Sequence, residues 1–145
     1  MLKRKKTYTL SALIPANSSD FVIAKDIDGS VIFEADEVRG SFECLESGET
    51  GITDLGVCPL AIKIVEGGTD YQFNDNFTPA DMLLSPGHKK SSRAINNDSA
   101  PIQNAPYKLW DFKHTFTKRI ELRVSNSSDI DNWIWLVFDG YETKK

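Results

Sequence analysis

Residues 116–141 decide the fold, and they read FTKRIELRVSNSSDIDNWIWLVFDGY. From Ile120 to Val124 apolar residues occupy every second position, and charged residues occupy the positions between them. This period of two predicts a β-strand with one face on a core. A Ser- and Asn-rich turn follows, and Trp133–Phe138 is then apolar at every position. We expect both faces of this last strand to be covered, as at the centre of a sandwich or under a partner subunit.

The same period of two recurs toward the amino terminus. Phe21–Ala24 and Val31–Phe33 flank the pair Asp28-Gly29, which suits a type I′ turn, so a hairpin over about residues 20–38 is predicted. Further strands are predicted at Gly40–Leu45, Val57–Val65 and Asp70–Phe73.

One short helix is expected near residues 79–84. Thr78 can cap free amide groups, Pro79 suits the first helical position, and Asp81 lies near the positive end of the helix dipole. Residues 85–106, which are rich in Ser, Asn, Pro and Gly, predict a long loop. Such a loop is unusual inside a compact domain and is either a partner-binding excursion or a mobile flap.

Many short strands, turns about every 10 residues and almost no helix predict an all-β fold. We expect an antiparallel β-sandwich, most simply a jelly roll, formed by residues 15–145 as a single domain. Residues 1–14 alternate like a strand and are basic at their start, so they are interpreted as an amino-terminal arm or an edge strand.

The charge is unevenly distributed along the chain. Seventeen Lys and Arg against 21 Asp and Glu give a formal net charge of -4, so the whole protein is not built to coat a polyanion. A basic run opens the sequence: Lys3, Arg4, Lys5 and Lys6. It is either a solvated tail or an arm that grips an acidic neighbouring subunit or packaged nucleic acid.

Export and membrane insertion are not expected from the sequence. The stretch after the basic run is short and interrupted by hydroxyl residues, unlike a secretory signal, and no apolar run is long enough to span a bilayer. The two cysteines, Cys44 and Cys58, are interpreted as buried free thiols, which fits synthesis in a reducing cytoplasm.

No catalytic, cofactor-binding or metal-binding constellation is predicted. The only histidines, His88 and His114, lie in no catalytic motif and are interpreted as surface residues. The two histidines and the two cysteines together lack the close pair spacing that a structural zinc site requires. Asp26–Ser30 alternates oxygen ligands like a calcium loop, but its glycine is in the wrong position for an EF-hand. The chain is therefore predicted not to be an enzyme.

Three tryptophans are candidates for partner binding: Trp110, Trp133 and Trp135. They either belong to the core or a subunit interface, or form a platform on which a sugar ring stacks. A carbohydrate- or receptor-binding β-module of a phage tail or cell-surface protein is the alternative function that this second interpretation supports.

Three segments together resemble the ending of small β-sandwich proteins in the structural modules of tailed bacteriophages. They are Asn104–Leu109, Phe116–Asn126 and Trp135–Tyr141, and the stretch Asp70–Leu84 is similar to the segment that precedes a Pro-rich loop in those proteins. The resemblance covers about residues 60–142. It implies a virion structural protein, made in the host cytoplasm, that is a minor capsid, decoration, vertex or connector-associated component. It also implies self-association into a homo-oligomer and contacts with other virion proteins such as the major capsid protein, with nucleic acid reached only through the amino-terminal arm.

Overall fold

The computed structural model describes residues 2–43, 58–69, 71–83, 107–108 and 113–145. Ten strands and one helical turn lie in these ranges: β1 (Lys3–Ile14), β2 (Ser18–Asp26), β3 (Val31–Phe42), β4 (Leu60–Gly67), β5 (Tyr71–Gln72), β6 (Thr78–Pro79), α1 (Ala80–Leu83), β7 (Tyr107–Lys108), β8 (His114–Phe116), β9 (Arg119–Asn126) and β10 (Asn132–Lys144). The predicted all-β, antiparallel class is confirmed, because every strand pairing is antiparallel.

The strands form two sheets. Sheet A has the order β1-β10-β3, with both β7 and β8 paired to the far side of β3. Sheet B has the order β2-β9-β4, with both β5 and β6 paired to the far side of β4. Among the described strands, β1 and β2 are therefore the edge strands of their respective sheets.

The chain changes sheet between β2 and β3, so the predicted hairpin over residues 20–38 is wrong. β2 pairs with β9 in sheet B, whereas β3 pairs with β10 in sheet A. Ile27, in the link between them, is only 5% exposed, and its N–H donates to the carbonyl of Lys118 at 2.8 Å. Because Ile27 is buried, the chain passes over the edge of the core at this link. The tight turn that follows, Asp28–Val31, leads into β3 of sheet A.

Both sheets contribute to one hydrophobic core. The predicted buried face of β9 is confirmed, since Ile120, Leu122 and Val124 are fully buried. Alternate residues of the other long strands complete the cluster, among them Leu10, Ile14, Phe33, Val38, Ile62, Ile64, Ile134, Leu136 and Phe138. Cys58 is buried with them, as predicted, whereas Cys44 lies outside the described residues.

Strand β3 is longer than the sequence pattern indicates. Strand β3 contains the predicted strand Val31–Phe33 and residues 40–42 of the predicted strand Gly40–Leu45, and its register against β10 shifts between Asp139 and Gly140. A Cβ at Gly140 would collide with the carbonyl oxygen of Glu34, so this irregularity requires glycine.

A buried asparagine ties the β1–β2 corner to the β9–β10 turn. The Asn126 side chain is fully buried; its Nδ2 donates to the carbonyls of Ile14 (3.1 Å) and Ile130 (3.0 Å), and its Oδ1 accepts from the N–H of Ser128 (3.0 Å). Because buried backbone groups must be hydrogen-bonded, this one side chain holds the two corners together.

The predicted helix is one turn, Ala80–Leu83. Thr78 belongs to β6, two residues before the helical turn begins, and its hydroxyl donates to the carbonyl of Asn76 at 3.1 Å. The predicted long loop at 85–106 lies outside the described residues.

Candidate interaction surface

Two tryptophans lie exposed on the outer face of sheet A. On β10, Ile134, Leu136 and Phe138 are fully buried, so the intervening Trp133 and Trp135 face outward, with 37% and 39% of their surface exposed. Their rings stack on each other, with centroids 5.3 Å apart and planes 15° apart. We call this the tryptophan pair. The expectation that both faces of this strand are covered is therefore wrong for a single copy of the chain.

The tryptophan pair borders the edge of the sheet. Leu13 of β1 lies directly opposite Trp133 and is 41% exposed, and Ser11 lies opposite Trp135. Because Ser11 has a small side chain, little stands between the indole of Trp135 and the sheet edge. The apolar surface thus extends from the middle of sheet A to β1.

Strand β1 offers an unpaired edge. All 12 residues pair with β10 on one side, and among the described strands none pairs with the other side. An edge of this kind presents free N–H and C=O groups to a partner strand. Charge divides it into two parts, because Lys3–Lys6 carries four cations whereas Thr7–Ile14 carries no charged residue.

The cations at the start of β1 are only partly engaged. Lys3 pairs with Glu34 at 3.1 Å. The ammonium groups of Lys3 and Lys5 lie 5.9 and 5.7 Å from the centre of the Tyr141 ring, and that of Lys6 lies 5.2 Å from the Tyr8 ring. Pairing of Lys3 with Thr143 also brings the carboxy-terminal lysines, 144 and 145, to this end of the sheet. The molecule therefore has a basic end, although its net charge is negative.

One phenol in this region has a strongly altered acidity. Tyr8 is partly buried, and its hydroxyl donates to Glu142 Oε2 at 2.9 Å. Burial, this hydrogen bond and the negative charge of Glu142 raise the pKa of Tyr8 to about 12. Tyr8 therefore remains an uncharged donor at physiological pH.

An ion pair separates the apolar part of the surface from the basic end. Arg39 of β3 contacts Asp139 of β10 at 2.6 Å, and the Thr7 hydroxyl donates to the same carboxylate at 2.8 Å. The outer face of sheet A thus changes along its strands from aromatic, through this neutral ion pair, to basic.

His114, interpreted from the sequence as an ordinary surface residue, is instead half-buried and paired. Its Nε2 lies 2.7 Å from Oε1 of Glu66, whose side chain is only 8% exposed. The rings of Phe73 and Phe116 contact it edge-on, with centroids 4.6 and 4.8 Å away. Since His114 is on β8 and Glu66 on β4, the pair links sheet A to sheet B. Neither the apolar alternation of the strands nor any sequence motif indicates this His114–Glu66 pair, because the two residues are 48 positions apart.

The turn that superficially resembles a calcium loop uses its carboxylate internally. Both the backbone N–H and the hydroxyl of Ser30 donate to Asp28 Oδ1 at 2.8 Å. These two hydrogen bonds, the backbone one first, lower the pKa of Asp28. Within the described ranges, no group of three or more His, Cys, Asp or Glu is placed to hold a metal ion.

Two of the residues singled out in the sequence, His88 and Trp110, lie outside the described residues. The other partner-binding candidates fall into two groups on sheet A, with Trp133 and Trp135 at the apolar part and Lys3, Arg4, Lys5 and Lys6 at the basic end. The structure adds Leu13, which the sequence analysis missed because its outward position depends on the pairing of β1 with β10.

None of the helical residues that the structure describes forms a segment long and apolar enough to cross a bilayer. Comparisons with protein-family models, with curated proteins and with solved structures found no match to this chain.

Proposed function

We propose that this chain is a structural protein of a bacteriophage particle, a minor capsid, decoration, vertex or connector-associated component. It acts in the virion by associating with itself and by contacting capsid subunits. The observation that carries the proposal is the tryptophan pair beside an unpaired edge strand. Exposed indole rings can be buried by a partner, and free backbone N–H and C=O groups can bond a further strand. A surface that combines the two is therefore suited to binding another protein chain.

We further propose that the two sheets are the layers of a jelly-roll sandwich. The order β1-β10-β3-β8 in one sheet and β2-β9-β4-β5 in the other supports this, because the chain changes sheet after each of β1, β2 and β3 and again after β9, as in a double Greek key. The shared core of both sheets supports face-to-face packing. The jelly roll is a frequent fold of viral capsid subunits, so this architecture is compatible with the proposed role.

The contacts of the outer face favour a protein partner. Aromatic residues are enriched at protein interfaces, where they bury large rigid surfaces at a small cost in conformational entropy. Trp133, Trp135 and Leu13 are contiguous and lie on paired strands, which hold them in fixed positions. Nucleic acid remains a second possible partner of the basic end alone, because the chain has a net charge of -4.

A carbohydrate- or receptor-binding module is the alternative. Exposed tryptophans favour it, since a sugar ring stacks on an open indole face. In the tryptophan pair, however, each ring turns one face to the other at a centroid distance of 5.3 Å. A stacked pair offers less open ring surface than two side-by-side rings, so the geometry favours the structural role.

The decisive experiment is the protein composition of purified phage particles from the source, measured by mass spectrometry. The proposal expects this chain at a stoichiometric copy number, and its absence would refute the proposal. A glycan array probed with the wild-type chain and with Trp135→Ala tests the alternative. Glycan binding that this substitution abolishes would favour the carbohydrate-binding module instead.

A further inference from the structure

We infer that the partner of the β1 edge is the β1 edge of a second copy, paired antiparallel about a two-fold axis at Ser11. The inference rests on the proposed function, because it specifies how the proposed self-association occurs. The paired edges would join the two copies of sheet A into one continuous sheet. Three features of the edge support this inference. They are the distribution of charge along β1, the alternation of its side chains between the two faces, and the apolar side chains beside it.

The distribution of charge selects the antiparallel orientation. In a parallel pairing, the run Lys3–Lys6 of one copy would lie about 5 Å from the same run of the other, within the distance at which like charges repel strongly. In an antiparallel pairing centred on Ser11, Lys5 of each copy lies six residues from the axis, on opposite sides of it. The two Lys5 Cα atoms are then 12 residues apart along the strands, about 40 Å. That separation is several Debye lengths, so the basic runs do not oppose association.

The same geometry places each basic run beside a carboxylate. The far end of β1 leads to Ala16, whose N–H donates to Asp131 Oδ1 at 2.9 Å. In the pairing centred on Ser11, the ladder covers Tyr8–Ile14 and ends before the turn that contains Ala16. Lys6 of the second copy lies two residues beyond the ladder, at the same end of the interface as the exposed Asp131. The two ends of the interface are thus complementary in charge, and the symmetry repeats the contact twice.

The alternation of β1 fixes the centre of the pairing. In an antiparallel pair, residues that lie directly opposite each other point to the same face of the sheet. A two-fold axis perpendicular to the sheet also keeps each residue on its own face. The axis must therefore lie at a residue position, because an axis between two residues would place inner residues opposite outer ones. The uncharged part of β1, together with the proline that follows it, is Thr7–Pro15, and this segment is centred on Ser11. With the axis there, Thr7 lies opposite Pro15, and every cation falls beyond the uncharged segment. An axis closer to the amino terminus would place Lys6 opposite Ile14 or Ala12.

This pairing would bring together the apolar side chains that lie beside the β1 edge in the two copies. Trp135 lies opposite Ser11 within each copy. Across the two-fold axis, the two Trp135 Cα atoms are separated by three strand spacings, about 14 Å. Only the small Ser11 side chains lie between them. The two tryptophan pairs and both Leu13 side chains would therefore form one apolar strip on the outer face of the dimer, which is the surface left for a capsid subunit.

The first test measures the mass of the full chain by sedimentation at several concentrations. Ser11→Lys extends the positive charge to the centre of the edge while leaving the exposed outer position solvent-accessible, and the inference expects a wild-type dimer that this variant converts to a monomer. Val22→Lys is the matched control, because Val22 is exposed at 47% on the edge strand of the other sheet. The control variant should remain dimeric, and circular dichroism should show that both variants are folded.

The second test determines the orientation. In a Cys44→Ser background, nitroxide labels are attached to cysteines introduced as Ser11→Cys or Lys5→Cys, and interspin distances are measured by pulsed electron resonance. The inference expects a short distance at position 11, below about 20 Å, and a long one at position 5, about 40 Å. Two short distances would indicate parallel pairing and overturn the inference.

Two further outcomes separate this inference from the proposed function. A chain that is monomeric at all concentrations, or a dimer that Ser11→Lys leaves intact, would overturn the β1 pairing, even if the chain is present in purified particles. A dimer with the expected distances in a chain absent from particles would leave the pairing in place and refute only the virion role. Binding of the basic end to oligonucleotides without dimerisation would assign the edge to nucleic acid and also overturn the inference.

Discussion

Replacing Asn126 by alanine tests how much the buried corner contributes to stability. Its amide bonds the carbonyl of Ile14 and the N–H of Ser128, both in fully buried contacts, at 3.1 and 3.0 Å. Alanine satisfies neither group, and each buried unsatisfied group costs about 1–3 kcal/mol. We expect Asn126→Ala to lower the free energy of unfolding by about 2–6 kcal/mol, a large part of the 5–15 kcal/mol typical of a domain.

Asn74→Ala is the matched control, because Asn74 also bridges the backbone. Its Nδ2 donates to the carbonyl of Ile62 and its Oδ1 accepts from the N–H of Ile64, both at 2.9 Å, but the side chain is only partly buried. Water can replace these bonds, so we expect a loss of about 1 kcal/mol. Urea unfolding followed by tryptophan fluorescence gives both values. Equal losses in the two variants, or a loss below about 1 kcal/mol for Asn126→Ala, would refute the reasoning.

Three other perturbations follow from the structure. Gly140→Ala should lower the free energy of unfolding by about 3 kcal/mol or more, because the added Cβ meets the backbone of β3; a change below about 1 kcal/mol in urea unfolding would contradict this. His114→Phe should cost about 3 kcal/mol by leaving the buried Glu66 side chain without its hydrogen-bond partner, and adding Glu66→Gln should recover part of that loss; a loss unaffected by the second change would argue against this contact. The neutral form of Tyr8 is favoured in the folded state, so its contribution to stability should be complete below pH 10 and disappear as the pH rises through about 12. Glu142→Gln should lower that pKa toward 10, and the ultraviolet absorbance of phenolate checks the shift.

The strands could be predicted from the sequence because their signal is local. In β9 the alternation from Ile120 to Val124 reports directly which face is buried, and the structure has those residues at zero exposure. The pairing of strands could not be predicted in the same way. Asp28-Gly29 is a turn in both the prediction and the structure, but the burial of Ile27, on which the change of sheet depends, is a property of the whole core.

The sequence predicts most residues of the candidate surface, but it does not predict how they are arranged. Trp133 and Trp135 were identified, yet an apolar run has no local sign that separates a strand covered on both faces from one with an exposed outer face. The His114–Glu66 pair depends on the relative position of two sheets, and Leu13 becomes part of the surface only through its register with β10. Such features require the tertiary structure.

The position of β10 has a consequence for synthesis. This strand lies between β1 and β3 in sheet A and pairs with both, so β1 has no neighbour in the sheet until β10 has been synthesised. A ribosome adds about 5–20 residues per second, so β1 and β3 emerge several seconds before the strand that joins them. During that interval β1 has no partner in the sheet and β3 can pair only with the short strands β7 and β8, so sheet A is completed only after β10 has been synthesised.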